Sequence, residues 1–245
     1  MITLGVETSA LTSIALRNDG ELLMERTIEP SRQKHAQTLV QESRQILAQH
    51  HLTAHDVDLV AISHGPGSFT GLRVGIVFGK TFAFATGCRL VAVDTLQAVA
   101  QASPADIVDV RVVVDAQREQ LFQGRFLRQN DGWFQREDAI NIIDNQEFLS
   151  RAASEGNRGP ALSGPGLRKL MTTSLPQEVR VLPTGFWFPQ ASQIAALGER
   201  MLMNGLASDP FLLEPFYLRA SSAEEKRDAE RQNSASDSAH SSTSG

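Results

Sequence analysis

One order of local signals occurs twice in this sequence. Residues 2–7 (ITLGVE) and 13–17 (SIALR) have the apolar, β-branched character of short strands, and a polar turn over Thr8-Ser9-Ala10 joins them. Asn18-Asp19-Gly20 is a hairpin signal, and residues 21–28 supply a third strand. A helix announced by Pro30-Ser31, with apolar positions at Leu39, Ile46 and Leu47, leads to a buried-strand pattern at 57–62 (VDLVAI) and to Ser63-His64-Gly65-Pro66-Gly67. A helix over about 69–86 and a strand at 89–93 complete this unit. The series then restarts with strand 110–115 (VRVVVD), strand 120–128, Asn130-Asp131-Gly132, strand 133–143, helix 145–154 and Ser163-Gly164-Pro165-Gly166. Acid-ended first strand, Asp-Gly hairpin and strand-Gly-Pro-Gly recur in the same order, so the chain is predicted to be an internally duplicated α/β protein of two lobes. The division expected is 1–103 and 104–219, with a loop at 183–189 and a helix at 190–205 in the second part. Residues 224–231 are of mixed charge and 232–245 are Ser-rich, and 220–245 read as a disordered tail.

Composition narrows the setting. The chain has 245 residues, enough for two lobes that each bury a core, and a net charge of −5. That charge speaks against binding nucleic acid alone through a broad basic face, and it is silent on a role inside a larger assembly. A lone cysteine, Cys88, rules out an internal disulfide and suits a reducing cytosol. The N-terminus runs straight into a strand pattern without a basic region, and the apolar stretch from Val74 to Gly87 is interrupted by Lys80 and too short to span a bilayer. A cytoplasmic protein with no membrane partner is the expectation.

The stretch Ser63–Thr81 invites a phosphate-binding reading, because it begins with Gly-Pro-Gly and ends with Gly79-Lys80-Thr81. A Walker loop needs a glycine five positions before that Gly-Lys, and Val74 stands there. Lys80 also falls inside a helical pattern whose backbone amides are already paired. The Gly65-Pro66-Gly67 turn is better placed for an anion, between a strand and a helix that Ser68 or Thr70 would cap. Its bland alternative is a sharp turn with close strand–helix approach. Gly71, Gly75 and Gly79 form a smooth stripe on one helix face, suited to close packing against a partner lobe or a second chain.

Other chemistry is thinner. Glu7 and Asp115 end equivalent strands, where carboxylates either cap a turn or organise Mg²⁺ around a nucleotide. His51 and His55 have metal-ligand spacing but sit at a helix end and a new cap, so a solvated connection is expected. His64, which borders the glycine turn, is the one histidine placed for activity, and no nucleophile elbow is present.

The run Gly65-Pro66-Gly67-Ser68-Phe69-Thr70-Gly71-Leu72-Arg73-Val74-Gly75 resembles the signature of the TsaB (YeaZ) family. Supporting matches are Glu7-Thr8-Ser9, His35, Val114-Asp115-Ala116-Gln117-Arg118-Glu119 and Pro215-Phe216-Tyr217-Leu218-Arg219, so the resemblance covers about residues 1–223. It implies a duplicated actin-like ATPase fold (ribonuclease H-like) and a part in placing threonylcarbamoyl on the adenosine beside the anticodon of tRNA. It further implies a non-catalytic subunit with no catalytic residue, metal or required cofactor, which pairs with its paralogue TsaD and works with the ATPase TsaE. tRNA is then reached through the complex, and a homodimer of the isolated chain is a natural alternative pairing. The paralogue carries metal-binding histidines just after the strand that follows the glycine-motif helix, and this chain reads Val93-Asp94-Thr95-Leu96-Gln97-Ala98-Val99 there. The family pattern usually has Asp where this chain has Glu7, which leaves Glu7 and Asp115 at most a vestigial nucleotide site. In the family the first-lobe helices make the pairing surface, so the interface candidates are His35, Leu39, Phe69, Leu72, Arg73 and Ile76. The competing reading is an ATP-dependent phosphotransferase or hydrolase of the actin-like superfamily using Glu7 and Asp115, and a protease stands last.

Overall fold

The computed structural model describes residues 1–28, 35–170, 175 and 177–216. The first sheet contains β1 (Ile2–Glu7), β2 (Ser13–Asn18), β3 (Glu21–Thr27), β4 (Leu59–Gly65) and β5 (Arg89–Asp94), in the order β3-β2-β1-β4-β5. The first three form an antiparallel meander, while β4 and β5 add in parallel. Asp19 and Gly20 both take positive φ, 48° and 83°, as a tight hairpin turn demands. Central strands buried on both faces read as unbroken apolar runs, and Leu4, Val6, Val60, Ala61 and Ile62 have no exposed surface.

Helices cover both faces of this sheet. α1 (His35–Gln49) and α2 (Phe69–Thr86) bring Leu39, Ile46, Leu47, Ile76 and Phe78 into one core with Leu4, Val6, Val60 and Ile62. On the other face, Leu59, Ala61, Val91 and Val93 pack with Ala98 of α3 (Thr95–Gln101) and with Ile194 and Leu197 of α6 (Ala191–Met203). α6 therefore lies on the first sheet although its sequence belongs to the stretch read as the second lobe. The fit is close: a methyl group on Gly198 would stand 2.4 Å from the Ala61 Cβ.

The second sheet repeats the first. It contains β6 (Asp109–Gln117), β7 (Gln120–Arg128), β8 (Phe134–Arg136), β9 (Asn141–Asp144) and β10 (Ala161–Ser163), in the order β10-β6-β7-β8, with β9 also paired to β7. A single parallel bridge from Leu162 to Val181 stands where the first sheet has β5. The matching strand orders are those of the duplicated actin-like fold expected from the sequence. α4 (Asn145–Glu155) and the one-turn α5 (Leu167–Leu170) pack here around Phe148, Leu162 and Leu167. The run expected as a strand at 133–143 lies along one edge of β7, where β8 and β9 pair in the same antiparallel direction with a two-residue register shift and an interruption at 137–140. The loop at 183–189 contains a single 3-10 turn at Thr184–Phe186. Residues 220–245, the expected tail, lie outside the described residues.

The lobes are joined through β8. The Gln97 amide donates to the Phe134 carbonyl at 2.8 Å, the Phe134 N–H donates to Gln101 Oε1 at 3.0 Å, and Arg136 pairs with Asp94 at 3.2 Å.

Candidate functional site

The glycine turn is built by two elements meeting end to end. β4 delivers Gly65, whose N–H donates to the buried Thr95 hydroxyl at 3.2 Å. Ser68 caps α2 by accepting from the Gly71 N–H at 3.2 Å, while its own N–H donates to the Ser9 carbonyl at 2.7 Å. Thr70 is exposed in the first turn of α2. The glycine stripe then rests on the β1–β2 turn. A methyl group at Gly71 would lie 1.9 Å from the Thr8 carbonyl oxygen, and one at Gly75 would lie 2.3 Å from the Thr8 hydroxyl. Gly79 continues the stripe against Ile62 and Leu90. The stripe thus packs on the chain's own first lobe, which corrects its expected use against a partner lobe or second chain. Lys80, mid-helix, donates to the Leu213 carbonyl at 3.1 Å, so Gly79-Lys80-Thr81 ties down the C-terminal segment.

The two strand-end acids have unlike surroundings. Glu7 is wholly buried. Its Oε1 accepts from the Ser9 N–H, the Ser9 hydroxyl and the Ala10 N–H, while Oε2 is buried without a partner. Burial pushes its carboxyl up to about 7, with the hydrogen bonds from Ser9, Ala10 and Ser63 pulling the other way. Asp115 is partly exposed, accepts from the Gln117 N–H at 2.8 Å and pairs with Lys169 at 2.9 Å. A nucleotide held through Mg²⁺ needs an acid open to the ion. Glu7 is sealed beneath the Thr8–Ser9 turn, itself covered by α2, so these residues do not fit that group at the first-lobe turn.

His64 Nε2 donates to the Glu214 carbonyl at 2.8 Å, and its ring stacks on Phe216 with centroids 5.9 Å apart. It anchors the segment returning from α6. His51 is exposed and takes φ 58° just beyond α1, while His55 sits exposed in the 3-10 turn Ala54–Asp56, so they share no helical face. Among the described residues no group of three or more His, Cys, Asp or Glu side chains is placed to hold a metal. At 93–99, Asp94 caps α3 by accepting from the Leu96 N–H at 2.8 Å. Cys88 is half-buried beside β5, and burial pushes its thiol up.

The interface candidates separate into two groups. Leu39, Leu72 and Ile76 have 0%, 1% and 3% exposure and belong to the chain's own core, which corrects their assignment to a docking surface. Phe69 is half-buried and carries the exposed Arg73 guanidinium 3.9 Å above its ring. The side chain of His35 lies outside the described residues. Between α1 and α2 runs an apolar groove of about 870 Å³, lined by Val40, Leu47, Val74, Val77 and Phe82 with Arg44 and Arg73 beside them. Val40 and Val77 stand 57% and 62% exposed. Sequence reasoning missed both, although the signal was present: α2 is apolar nearly all round, as a helix covered on more than one side should be.

A two-lobed actin-like protein, with a glycine turn packed on its own first lobe and an open apolar helix pair, is the class these features define. A family model described as TsaD, tRNA N6-adenosine threonylcarbamoyltransferase, matches residues 27–141. An uncharacterised protein of Mycobacterium tuberculosis is 32% identical over 167 residues, covering 68% of this chain and 71% of that one. The tRNA threonylcarbamoyladenosine biosynthesis protein TsaB of Bacillus subtilis is 26% identical over 233 residues, 92% of this chain and 97% of its own length. The solved structure of YeaZ from Pseudomonas aeruginosa superposes with a TM-score of 0.75 at 24% identity, covering 89% of this chain and 99% of that one. The chain belongs to the TsaB (YeaZ) family.

Proposed function

We propose that this chain is the non-catalytic scaffold and activator subunit of a tRNA threonylcarbamoyladenosine transferase complex, pairing with the TsaD paralogue and working with the ATPase TsaE. The observation that carries the reading is the open groove between α1 and α2. An apolar face of this kind beside two arginines suits a helical partner with carboxylates along its edge. The matched family model is itself a TsaD model and spans both helices, so the two proteins share the element through which they would pair. A helix pair meeting its own counterpart is self-complementary, and the same face serves a homodimer when the chain is alone. On this reading the chain works in the cytoplasm, reaches tRNA through the complex, requires no cofactor and turns over no nucleotide itself. No helix among the described residues is long and apolar enough to cross a membrane.

Reconstitution tests the proposal. The purified chain with TsaD-type and TsaE-type partners, the threonylcarbamoyl donor and ATP should modify tRNA, and the chain alone should not. Equal modification by the mixture lacking this chain would overturn it.

A further inference from the structure

We infer that the segment Ser208–Phe216 forms a second part of the pairing surface, with Phe84, Phe211 and Leu212 as apolar anchors for the TsaD-type partner. The inference rests on the reading that such a partner occupies the α1–α2 groove.

The segment is pinned along its length. The Ser208 N–H donates to the Leu90 carbonyl at 2.8 Å and its hydroxyl accepts from the Ala92 N–H at 3.1 Å, which fastens it to β5. Asp209 Oδ1 accepts from the Phe211 N–H at 2.8 Å and tightens the turn that follows. Lys80 and His64 then hold the Leu213 and Glu214 carbonyls, and Leu213 packs against the first-lobe core.

What this fixed segment presents to solvent is apolar. Phe211 and Leu212 are 76% and 78% exposed, and Phe84 of α2 is as exposed as Phe211. The Phe84 and Phe211 rings meet edge-on with centroids 6.3 Å apart, so α2 and the segment share one patch. Large apolar side chains held in water by an anchored backbone mark a surface that a partner covers.

The patch continues the groove. Val77 and Phe84 are seven residues apart, two helical turns, and project from nearly one line of α2. The groove with α1 lies on one side of that line, and Lys80, which holds the segment, lies on the other. In the groove the large exposed apolar side chains are Val40 and Val77, together only about 200 Å². Phe84, Phe211 and Leu212 add on the order of 400 Å². A stable interface takes about 800 Å² from each partner around an apolar centre, so the groove needs the patch to reach that size. Charge sets the orientation. Arg44 and Arg73 border the α1 flank, while Asp209 and Glu214, both exposed, border the other. The partner that fits has an apolar middle, carboxylates facing α1 and lysines or arginines facing the segment.

The test titrates the full-length chain with a purified TsaD-type partner by calorimetry. Phe211→Ser and Leu212→Ser should each weaken binding about tenfold, with melting within about 2 °C of the parent chain. Glu214→Lys should weaken it more at low salt than at high salt. Val77→Glu, measured alongside, reports on the groove separately. Binding lost in Val77→Glu but unaltered in Phe211→Ser and Leu212→Ser would overturn the inference and leave the groove reading standing. Unaltered affinity in all three would overturn both. Sedimentation of the chain alone reads the other occupant. A dimer dissociated by Phe211→Ser and Leu212→Ser, with partner affinity unchanged, would assign the anchors to a second copy and overturn the inference.

Discussion

Glu7 and Ser9 form a closed pair. One carboxylate oxygen of Glu7 accepts both the N–H and the hydroxyl of Ser9, and neither residue has appreciable exposure. Burial raises this carboxyl from 4.5 to about 7, so the folded chain keeps a proton that the unfolded chain releases earlier. Below pH 4.5 both states are protonated and the difference vanishes. As pH rises from there to about 7, the folded state loses stability relative to the unfolded one, by about 3 kcal/mol in all. Glu7→Gln keeps an acceptor for Ser9 and Ala10 and removes the titration. Urea unfolding at pH 5 and pH 8 should show the variant gaining on the parent chain at the higher pH. An equal difference at both values would mean that Glu7 does not titrate in this range.

Gly71 and Gly20 make opposite demands. Nothing lies within 4 Å of a methyl group at Gly20, so Gly20→Ala meets only the left-handed backbone at φ 83° and should cost about 1 kcal/mol. Gly71→Ala would drive a methyl group into the Thr8 backbone carbonyl, which has no rotamer to yield, and should cost about 3 kcal/mol or more. Denaturant midpoints measured side by side check the ranking. Similar losses for the two would remove the close α2–turn contact as the reason for the glycine stripe.

These contrasts mark what the sequence could disclose. The bounds of α2 were legible because local chemistry sets them: Ser68 caps its start and Gly87, at φ 76°, ends it. The duplicated order was legible because each hairpin carries its own Asp-Gly turn. α3 was hidden because its cap, Asp94, is also the last residue of β5, so strand and helix share a boundary without a spacer. The break between β8 and β9 falls in Glu137-Asp138-Ala139-Ile140, with no glycine or proline to announce it. The packing of α6 on the first sheet was beyond any local signal, since Gly5, Ala61 and Gly198 make room for it from distant positions. For the site, helical periodicity identified apolar positions on α1 and α2 but could not tell Leu72, turned inward, from Val77, turned outward.

The start of α6 depends on a residue from β3. Glu25 accepts from the Ser192 N–H at 3.0 Å and from its hydroxyl at 2.8 Å, placing a carboxylate at the positive end of the helix. Gln190, the residue before α6, makes no side-chain cap. Glu25→Ala should therefore cost about 1–2 kcal/mol, and Ser192→Ala, which keeps the N–H contact, should cost less. Hydrogen exchange of the first-turn amides of α6 reads this directly. Unchanged protection in Glu25→Ala would show that the Glu25 contact does not hold the first turn of α6.

Val77 and Leu72 separate docking from folding on one helix. Val77 is 62% exposed in the groove, so Val77→Glu removes little internal packing, while it places a charge where an apolar partner face would sit. Leu72 is 1% exposed, and Leu72→Glu would bury a carboxylate without a partner and cost several kcal/mol. Val77→Glu should melt within about 2 °C of the parent chain yet no longer co-elute with a TsaD-type partner, whereas Leu72→Glu should fail to fold at all. A Val77→Glu chain that still co-elutes normally would move the pairing surface off the α1–α2 groove. Loss of binding by Leu72→Glu alone would carry no information about the surface, because the fold is lost with it.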